Sequence, residues 1–288
     1  MADNTIAERL QQRFDTFTRA ERQLADVMLK NYPVSGLGTI TTVAQSAGVS
    51  TPTVARMIQK LGFSGFPEFQ AELRAELNAT ISSPIAKHDA WAGEAPQAHV
   101  LNRFTDAVLD NIRQTLALID IARFDEACAL LADEKRHVYI AGGRITRALA
   151  DYLFLHLQVI RPGVSHIRTL ANAWPHYLLD VKEGDVVIVF DIRRYEYAMM
   201  KLAEIAAEKG AKVVLFTDQW RSPADAVADF TFSSRIAVPS AWDSSVVTML
   251  LVEAVIEQIQ QHNWPSARQR MEALEGMFDR TRIFRKFT

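Results

Sequence analysis

The sequence has little of what defines several common classes of protein. One cysteine in 288 residues cannot form an internal disulfide. The formal net charge of −2 excludes a polycationic chain, so any contact with nucleic acid must come from a local surface. No apolar run approaches the ~20 residues that a membrane span requires, and the first ten residues lack the apolar region of a signal peptide. We therefore expect a cytoplasmic protein with no membrane partner.

The sequence also lacks the motifs of common catalytic and metal sites. It contains no paired cysteines or closely spaced histidines of the kind that bind zinc, no P-loop and no Gly-x-Ser-x-Gly turn. The lone Cys128 lies in an apolar run of a predicted helix, which favours a buried structural thiol over a reactive one. We expect no metal, no cofactor and no catalytic residue.

Two hydrophobic patterns follow one another along the chain. The first 78 residues show helical periodicity, and the next twenty collect serine, proline and glycine as a linker does. Two amphipathic helices with a break near Ile121 come next. Short apolar strands such as VVIVF then alternate with helices, which is typical of a parallel sheet buried on both faces. The predicted fold class is α + α/β, with an all-α helix-turn-helix domain at 1–78, a linker at 79–98 and a three-layer α/β domain at 99–288.

The segment TVAQSAGVSTPTVARMIQKL, residues 42–61, has the features of a helix-turn-helix. Gly48 can adopt the left-handed backbone of a tight turn, Ser50 is a good N-cap and Pro52 falls in the first turn of the next helix. The helical spacing predicts one apolar face, formed by Val54, Ile58 and Leu61. It predicts that the neighbouring face carries Thr53, Arg56, Met57 and Lys60.

A face of this composition suits the major groove of DNA. Arginine can read guanine, threonine can contact a thymine methyl group or a phosphate, and lysine can neutralise phosphate. Between Ile40 and Phe66 the chain has two basic residues and no acidic one. The alternative is an ordinary pair of small helices joined by a glycine turn.

This region resembles the N-terminal domain of the RpiR family of bacterial transcription regulators. Residues 61–66 read LGFSGF and fit the Leu-Gly-Phe-x-Gly-Phe segment that follows the family's helix-turn-helix, and residues 19–22 and 48–50 also fit. The resemblance covers roughly residues 5–77 and implies a double-stranded DNA operator as partner. The residues it places against DNA are Ser50, Thr51, Thr53, Arg56 and Lys60.

Three loops of the α/β part are predicted to meet where the strands end, which is where parallel sheets bind ligands. Glycines before a helix can present backbone N–H groups to an anion, and arginine binds phosphate or carboxylate oxygens in pairs. Close backbone packing and plain surface charge are the alternatives. The candidate ligand-binding residues in these loops are Gly142, Gly143, Arg144, Thr146, Asp191, Arg193, Arg194, Tyr195 and Thr217.

This half of the chain resembles the sugar isomerase (SIS) domain over about residues 120–262. The pattern G-x-G-x-S-x-x-x-A-x-x-L is matched by Gly142, Thr146, Ala150 and Leu153, with Arg144 in place of the second glycine. The family's phosphate-binding loop, S-x-S-G-x-T, reads DIRRYE at residues 191–196. The resemblance implies a phosphosugar, and the altered loop widens this expectation to a small anionic ligand of the phosphosugar or sugar-acid type.

Two interpretations of the arginines stay open at this point. In the first, Arg144, Arg193 and Arg194 form a charged clamp around an anion. In the second, they pair with neighbouring carboxylates and leave a closed, ligand-free surface that serves only oligomerisation. The carboxylates available for such pairing are Asp191, Glu196 and Asp218.

An aldose–ketose isomerase is the main alternative to a regulator, because SIS domains also occur in such enzymes. Acid–base chemistry near the strand ends would have to use His166, His176 or Glu196. The fused DNA-binding domain favours a sensor that carries out no reaction. A single short recognition helix offers too small an interface for tight specific binding, so we expect a homodimer or homotetramer. The predicted function is a DNA-binding transcription regulator whose C-terminal domain senses a carbohydrate derivative.

Overall fold

The N-terminal part of the chain is helical, as the periodicity predicts. The computed structural model describes residues 4–92, 99–168 and 173–284, apart from the side chains of residues 90–92. Short 3-10 helices follow α1 and α2, at Phe14–Thr16 and Val34–Gly36. The α-helices of this part are α1 (Ile6–Gln12), α2 (Arg19–Lys30), α3 (Ile40–Ser46), α4 (Thr51–Lys60) and α5 (Phe66–Ile81).

The first two helices begin at threonines that form capping boxes. Thr5 accepts the backbone N–H of Glu8, whose carboxylate accepts the N–H of Thr5 in return, and Thr18 does the same with Glu21. The helices enclose an apolar core of their own. Its fully buried members include Leu24, Val54, Ile58, Phe69 and Leu73.

Three helices lie between this bundle and the sheet, and one of them was not predicted. They are α6 (Pro84–Ala92), α7 (Val100–Leu116) and α8 (Ile121–Ala132). Most of the predicted linker is therefore helical, because α5 runs to Ile81 and α6 follows directly. Residues 93–98 of that linker lie outside the described residues. Ser83 caps α6 and Pro84 opens it, so residues that mark loops here start a helix. The predicted break near Ile121 is confirmed.

The rest of the chain forms a parallel sheet with helices on both faces, which confirms the predicted three-layer domain. The strands lie in the order β2-β1-β3-β4-β5 and every pairing is parallel. The strands are β1 (Val138–Gly142), β2 (Val164–Ile167), β3 (Val186–Phe190), β4 (Lys212–Asp218) and β5 (Phe230–Ser234). The helices are α9 (Arg147–Ile160), α10 (Trp174–Tyr177), α11 (Tyr197–Glu208), α12 (Val246–His262) and α13 (Trp264–Thr281), with a 3-10 turn at Pro223–Val227.

Both faces of the sheet are buried, which explains the continuous apolar runs of β3 and β4. Ile188 and Phe216 point to the face covered by α8, α9 and α12, whereas Val187 and Leu215 point to the face covered by α11. Cys128 on α8 is fully buried and free, and burial raises the pKa of its thiol to about 12. The expectation of a structural thiol is confirmed. None of the described helices is long and apolar enough to cross a membrane.

Candidate DNA-reading helix and ligand cleft

The turn between α3 and α4 has the geometry that the sequence predicts. Gly48 has φ of +63°, a conformation that side chains disfavour, and Val49 N–H reaches back to the carbonyl of Ala44. The side-chain amide of Gln23 on α2 donates to Ala47 O at 2.7 Å and fixes the turn against the neighbouring helix. Thr39 caps α3, and Ser50 occupies the N-cap position of α4.

The predicted assignment of the α4 faces is wrong at two positions. Thr53 is 7% exposed and Met57 is fully buried, so both side chains belong to the core. The hydroxyl of Thr53 lies 2.9 Å from that of Ser50 and accepts a hydrogen bond from the Arg56 guanidinium at 3.3 Å. Successive side chains of an α-helix are about 100° apart, and the apolar stripe that faces a core is at least about that wide. The stripe of α4 therefore includes Thr53 beside Val54 and Met57 beside Ile58. The Thr53 hydroxyl therefore contacts Arg56 within the protein, and its contact with DNA stays a prediction.

Lys60 is also engaged within the protein. Its ammonium forms an ion pair at 2.7 Å with Glu21, whose side chain is only 3% exposed. Burial opposes ionisation of Glu21, but hydrogen bonds from Lys60 and Thr18 outweigh it and hold the pKa of this carboxyl below its usual value. Lys60 thus connects α4 to α2, and its side chain is 40% exposed.

The exposed surface of α4 is narrower than predicted. Arg56 is exposed, Ser50 is exposed at the N-cap, and Thr51 is half-buried beside it. Gln59 is exposed on the same side, three residues after Arg56. Glutamine can contact adenine through two hydrogen bonds, so Gln59 is a candidate DNA contact that the sequence reasoning missed. Its spacing from Arg56 was the available signal.

In the α/β domain, the loop after β1 is held by a threonine. The hydroxyl of Thr146 accepts the N–H of Gly143 at 2.8 Å and donates to the carbonyl of Phe190 at the end of β3. A Cβ on Gly142 would lie 2.7 Å from the carbonyl oxygen of Thr146, so the chain requires glycine there. Thr146 thus ties the first loop to the second, and its hydroxyl is committed to the protein.

The loop after β3 is built around a buried carboxylate. Asp191 is 2% exposed, accepts the N–H of Glu196 at 3.1 Å and accepts a short hydrogen bond from the hydroxyl of Ser222. Its backbone carbonyl accepts the hydroxyl of Thr217 at 2.8 Å. Burial raises the pKa of Asp191 to about 7, although its hydrogen bonds oppose the shift. Asp191 and Thr217 therefore stabilise the loop after β3 through buried hydrogen bonds.

A second buried carboxylate lies at the end of β4. Asp218 accepts the backbone N–H of Arg193 at 2.6 Å and the phenol hydroxyl of Tyr195 at 2.8 Å. Burial raises the pKa of Asp218 to about 6 and, with the nearby Asp218 charge, raises that of Tyr195 well above its usual value. The loop after β3 is therefore pinned to β4 through both a backbone and a side-chain contact.

The three arginines of the predicted clamp differ in their contacts and in their exposure. The guanidinium of Arg193 is only 6% exposed, pairs with Asp243 at 2.9 Å and donates to the carbonyl of Ala79 in α5 at 3.1 Å. Arg144 and Arg194 are exposed. Arg193 is thus engaged, but with a carboxylate that neither sequence interpretation considered. Arg194 has φ of +63°, at the position where the SIS pattern has glycine.

A cleft of about 420 Å³ opens beside these loops. Its walls come from the loops after β1 and β3, from the segment between β5 and α12, and from the α5–α6 junction. The last two walls were not predicted from the sequence, although Trp242 and Asp243 follow a strand and precede a long helix, as residues of ligand loops do. The lining residues are Ser82, Pro84, Arg144, Ile145, Thr146, Ile192, Arg193, Arg194, Ala241, Trp242, Asp243 and Ser245.

The candidate acid–base residues do not converge on this cleft. His166 is buried on β2, with Asp151 at 3.0 Å, and burial lowers the pKa of its imidazole. His176 lies on α10, on the other side of the sheet from α9. Glu196 contacts the first loop. Among the described residues no group of three or more histidine, cysteine, aspartate or glutamate side chains could hold a metal ion.

Comparison with known families matches both halves of the chain. Residues 4–80 match the helix-turn-helix domain of the rpiR family, and residues 130–258 match the SIS domain. The molecule is therefore a two-domain protein that joins a helix-turn-helix to a sugar-isomerase-type domain. It belongs to the RpiR family of transcription regulators, which is the class that the sequence predicts.

Individual proteins are similar to large parts of this chain. The HTH-type transcriptional regulator HexR of Pseudomonas aeruginosa is 27% identical over 222 residues, which are 74% of this chain and 73% of HexR. The sugar isomerase domain of an RpiR transcription factor from Sphaerobacter thermophilus covers 62% of this chain with a TM-score of 0.58 and 18% identity. NanR of Vibrio vulnificus, complexed with ManNAc-6P, covers 96% with a TM-score of 0.53 and 15% identity. These structural matches establish the fold.

Proposed function

We propose that this protein binds an operator through α3 and α4 and senses a small anionic metabolite, a phosphorylated sugar or another carbohydrate derivative, in the cleft at the strand ends. The observation that carries the proposal is the position of the cleft, which lies between the α/β domain and the segment that leaves the helix-turn-helix domain. Its sensor walls are the loops after β1, β3 and β5, and its remaining wall is the junction of α5 and α6. The NanR structure, which contains a sugar phosphate, supports this class of ligand.

Two ion-paired side chains connect the cleft to the DNA-binding domain. Arg193 lines the cleft and donates to Ala79 near the end of α5. Asp243, also in the wall, pairs with Arg193 and with the ammonium of Lys87 in α6. A ligand that competes for Arg193 or Asp243 changes contacts that hold α5 and α6. Such differential contacts are what couples two sites in an allosteric protein.

The ligand is tested first by thermal shift with a panel of phosphorylated sugars, sugar acids and other small anions. We expect at least one class to raise the melting temperature of the wild type. Trp242→Ala removes an exposed aromatic wall of the cleft and should abolish that rise. Trp264→Ala removes a comparably exposed tryptophan at the start of α13 and should leave it unchanged. A panel with no stabilising compound would refute the sensor proposal.

The coupling is tested with Lys87→Met, which breaks the ion pair with Asp243 from outside the cleft. DNA selected from a random library by the purified protein serves as probe. We expect the variant to keep the ligand-induced rise in melting temperature but to lose most of the ligand-induced change in DNA affinity. Lys135→Met, at an exposed lysine after α8, is the matched control. A full response in Lys87→Met would rule out this connection.

The last part of the proposal is that two copies of the helix-turn-helix bind DNA together. Each chain offers one short recognition helix, and regulators of this kind match paired half-sites on DNA by their symmetry. We therefore propose a homodimer or homotetramer on DNA. Measurement of the mass of the protein–DNA complex tests this point, and a single chain bound to DNA would contradict it.

A further inference from the structure

A carboxylate of the protein fills the crevice between the loops after β1 and β3. Glu196, the N-cap of α11, accepts the backbone N–H of Arg144 at 2.7 Å. A Cβ on Gly143 would lie 2.3 Å from the same carboxylate oxygen, so Glu196 lies directly against the glycine backbone. The strand order reverses between β1 and β3, and parallel sheets present their ligand crevice at that reversal.

The groups around Glu196 make this crevice unfavourable for a dianion. Asp191 lies directly behind it, and Asp218 lies at the end of the next strand. The guanidinium of Arg193 is already paired with Asp243. The Arg144 guanidinium is 4.0 Å from the Glu196 carboxylate, but its side chain is 74% exposed. A phosphate here would have to replace the Glu196 contact and meet two further carboxylates.

We infer that Glu196 excludes phosphate from this crevice and selects a carbohydrate derivative that presents hydroxyl groups there. A carboxylate can only accept hydrogen bonds, and a polyol donates them. The charge of such a ligand is then a carboxylate placed outside the crevice, near the exposed guanidinium groups of Arg144 and Arg194. The ligand is thus of the sugar-acid type. This inference rests on the proposed function and narrows it.

Inorganic phosphate is the probe for the first test, by isothermal titration calorimetry on the full-length protein. Wild type should bind phosphate weakly or not at all. Glu196→Thr removes the carboxylate while keeping a good N-cap for α11, and should bind phosphate at least about tenfold more tightly. Glu208→Thr makes the same charge change at the exposed end of α11 and should behave as wild type. Unchanged phosphate affinity in Glu196→Thr overturns the inference.

Glu196→Gln separates charge from shape and guards against a misfolded threonine variant. Its side-chain oxygen can still accept the Arg144 N–H, so the loop should keep its conformation, and phosphate affinity should rise by a smaller factor than in Glu196→Thr. In the compound screen, gluconate should stabilise the wild type more than glucose 6-phosphate, and Glu196→Thr should reverse that order. If glucose 6-phosphate stabilises both the wild type and Glu196→Thr more than gluconate does, the inference is wrong. The sensor proposal would still stand, because a ligand would have bound.

Discussion

Arg235, just after β5, donates hydrogen bonds to both carboxylate oxygens of Glu8 in α1, which lies 227 residues earlier in the chain. The two side chains are only 4% and 6% exposed. The same guanidinium donates to the side-chain oxygen of Asn4 at 3.0 Å. This pair joins the first helix of the DNA-binding domain to the edge of the sheet, so it is one of the contacts that orient the two domains of one chain.

Arg235→Met should loosen the contact between the domains. It leaves the Glu8 carboxylate buried without its partner, which costs about 3–5 kcal/mol in comparable cases. We expect a lower melting temperature and faster proteolysis of the N-terminal helices. Adding Glu8→Gln keeps the acceptor for the N–H of Thr5 but removes the buried charge, so the double variant should recover part of the loss. Equal melting temperatures of wild type and Arg235→Met would contradict this account.

Arg56→Ala should weaken DNA binding. Arg56 is the exposed cation of α4, and loss of a base-reading arginine costs about 1–3 kcal/mol, or roughly fivefold to 150-fold in affinity. Fluorescence anisotropy with DNA selected by the wild type measures the effect. Arg268→Ala, at an exposed arginine on α13, makes the same charge change away from the helix-turn-helix and should bind DNA as wild type does. Unaltered binding by Arg56→Ala would mean that α4 is not the reading helix.

Lys60→Met should act on stability more than on DNA. The substitution leaves Glu21 buried and without its cation, at a cost of about 1–3 kcal/mol to the N-terminal domain. The dependence of DNA affinity on salt should stay close to that of wild type, because the Lys60 ammonium is held by Glu21 and not by phosphate. A salt dependence reduced by about one counterion, without loss of stability, would restore Lys60 as a phosphate contact.

The overall fold could be predicted from the sequence because its signals are local. The continuous apolar runs of β3 and β4 predict strands buried on both faces, and Gly48 and Ser50 predict the turn before α4. Two α-helices among the described residues were not predicted: the single turn α10, and α6, which begins at Ser83 and Pro84. Those two residue types also mark loops, so the local pattern alone could not separate a linker from a helix start.

The site was harder to predict because its partners are distant in sequence. Lys60 was expected to reach DNA, but Glu21 lies 39 residues earlier and takes its ammonium. The sequence left open whether Arg193 binds an anion or pairs with a nearby carboxylate. In the structure, Asp243 and a carbonyl oxygen of α5 contact its guanidinium. A pattern shows which loops reach the strand ends. It does not show which charges those loops meet across the domain boundary.

Arg194→Gly should stabilise the protein. Arg194 has φ of +63°, which costs a residue with a side chain about 1–3 kcal/mol, and no such cost applies to glycine. The gain is reduced by the greater freedom of glycine in the unfolded chain, so we expect about 1 kcal/mol in urea unfolding. Arg221→Gly is the contrast, because Arg221 also has a positive φ but forms a bidentate ion pair with Asp225. That variant should be destabilised.

The free energy of unfolding should contain a contribution from Glu76 that falls as pH rises. Glu76 in α5 is buried, accepts the N–H of Ile6 at 2.8 Å and accepts a hydrogen bond from the Tyr32 hydroxyl. Burial raises its pKa to about 7. Between about pH 4 and pH 7 the folded state therefore holds a proton that the unfolded state has released, and stability falls through that window by at most about 1.4 kcal/mol per pH unit.

Glu76→Gln removes this titration while keeping an oxygen for the Ile6 N–H. Urea unfolding at about pH 5 and about pH 8 should show that the variant loses less stability than wild type as pH rises. Glu275→Gln, at an exposed glutamate on α13, should lose as much as wild type. The comparison between variants is needed because Glu21, with its lowered pKa, contributes stability that is lost as pH falls. If Glu76→Gln and wild type lose stability in parallel, Glu76 is ionised in the folded protein and the buried junction of α1 and α5 must tolerate its charge.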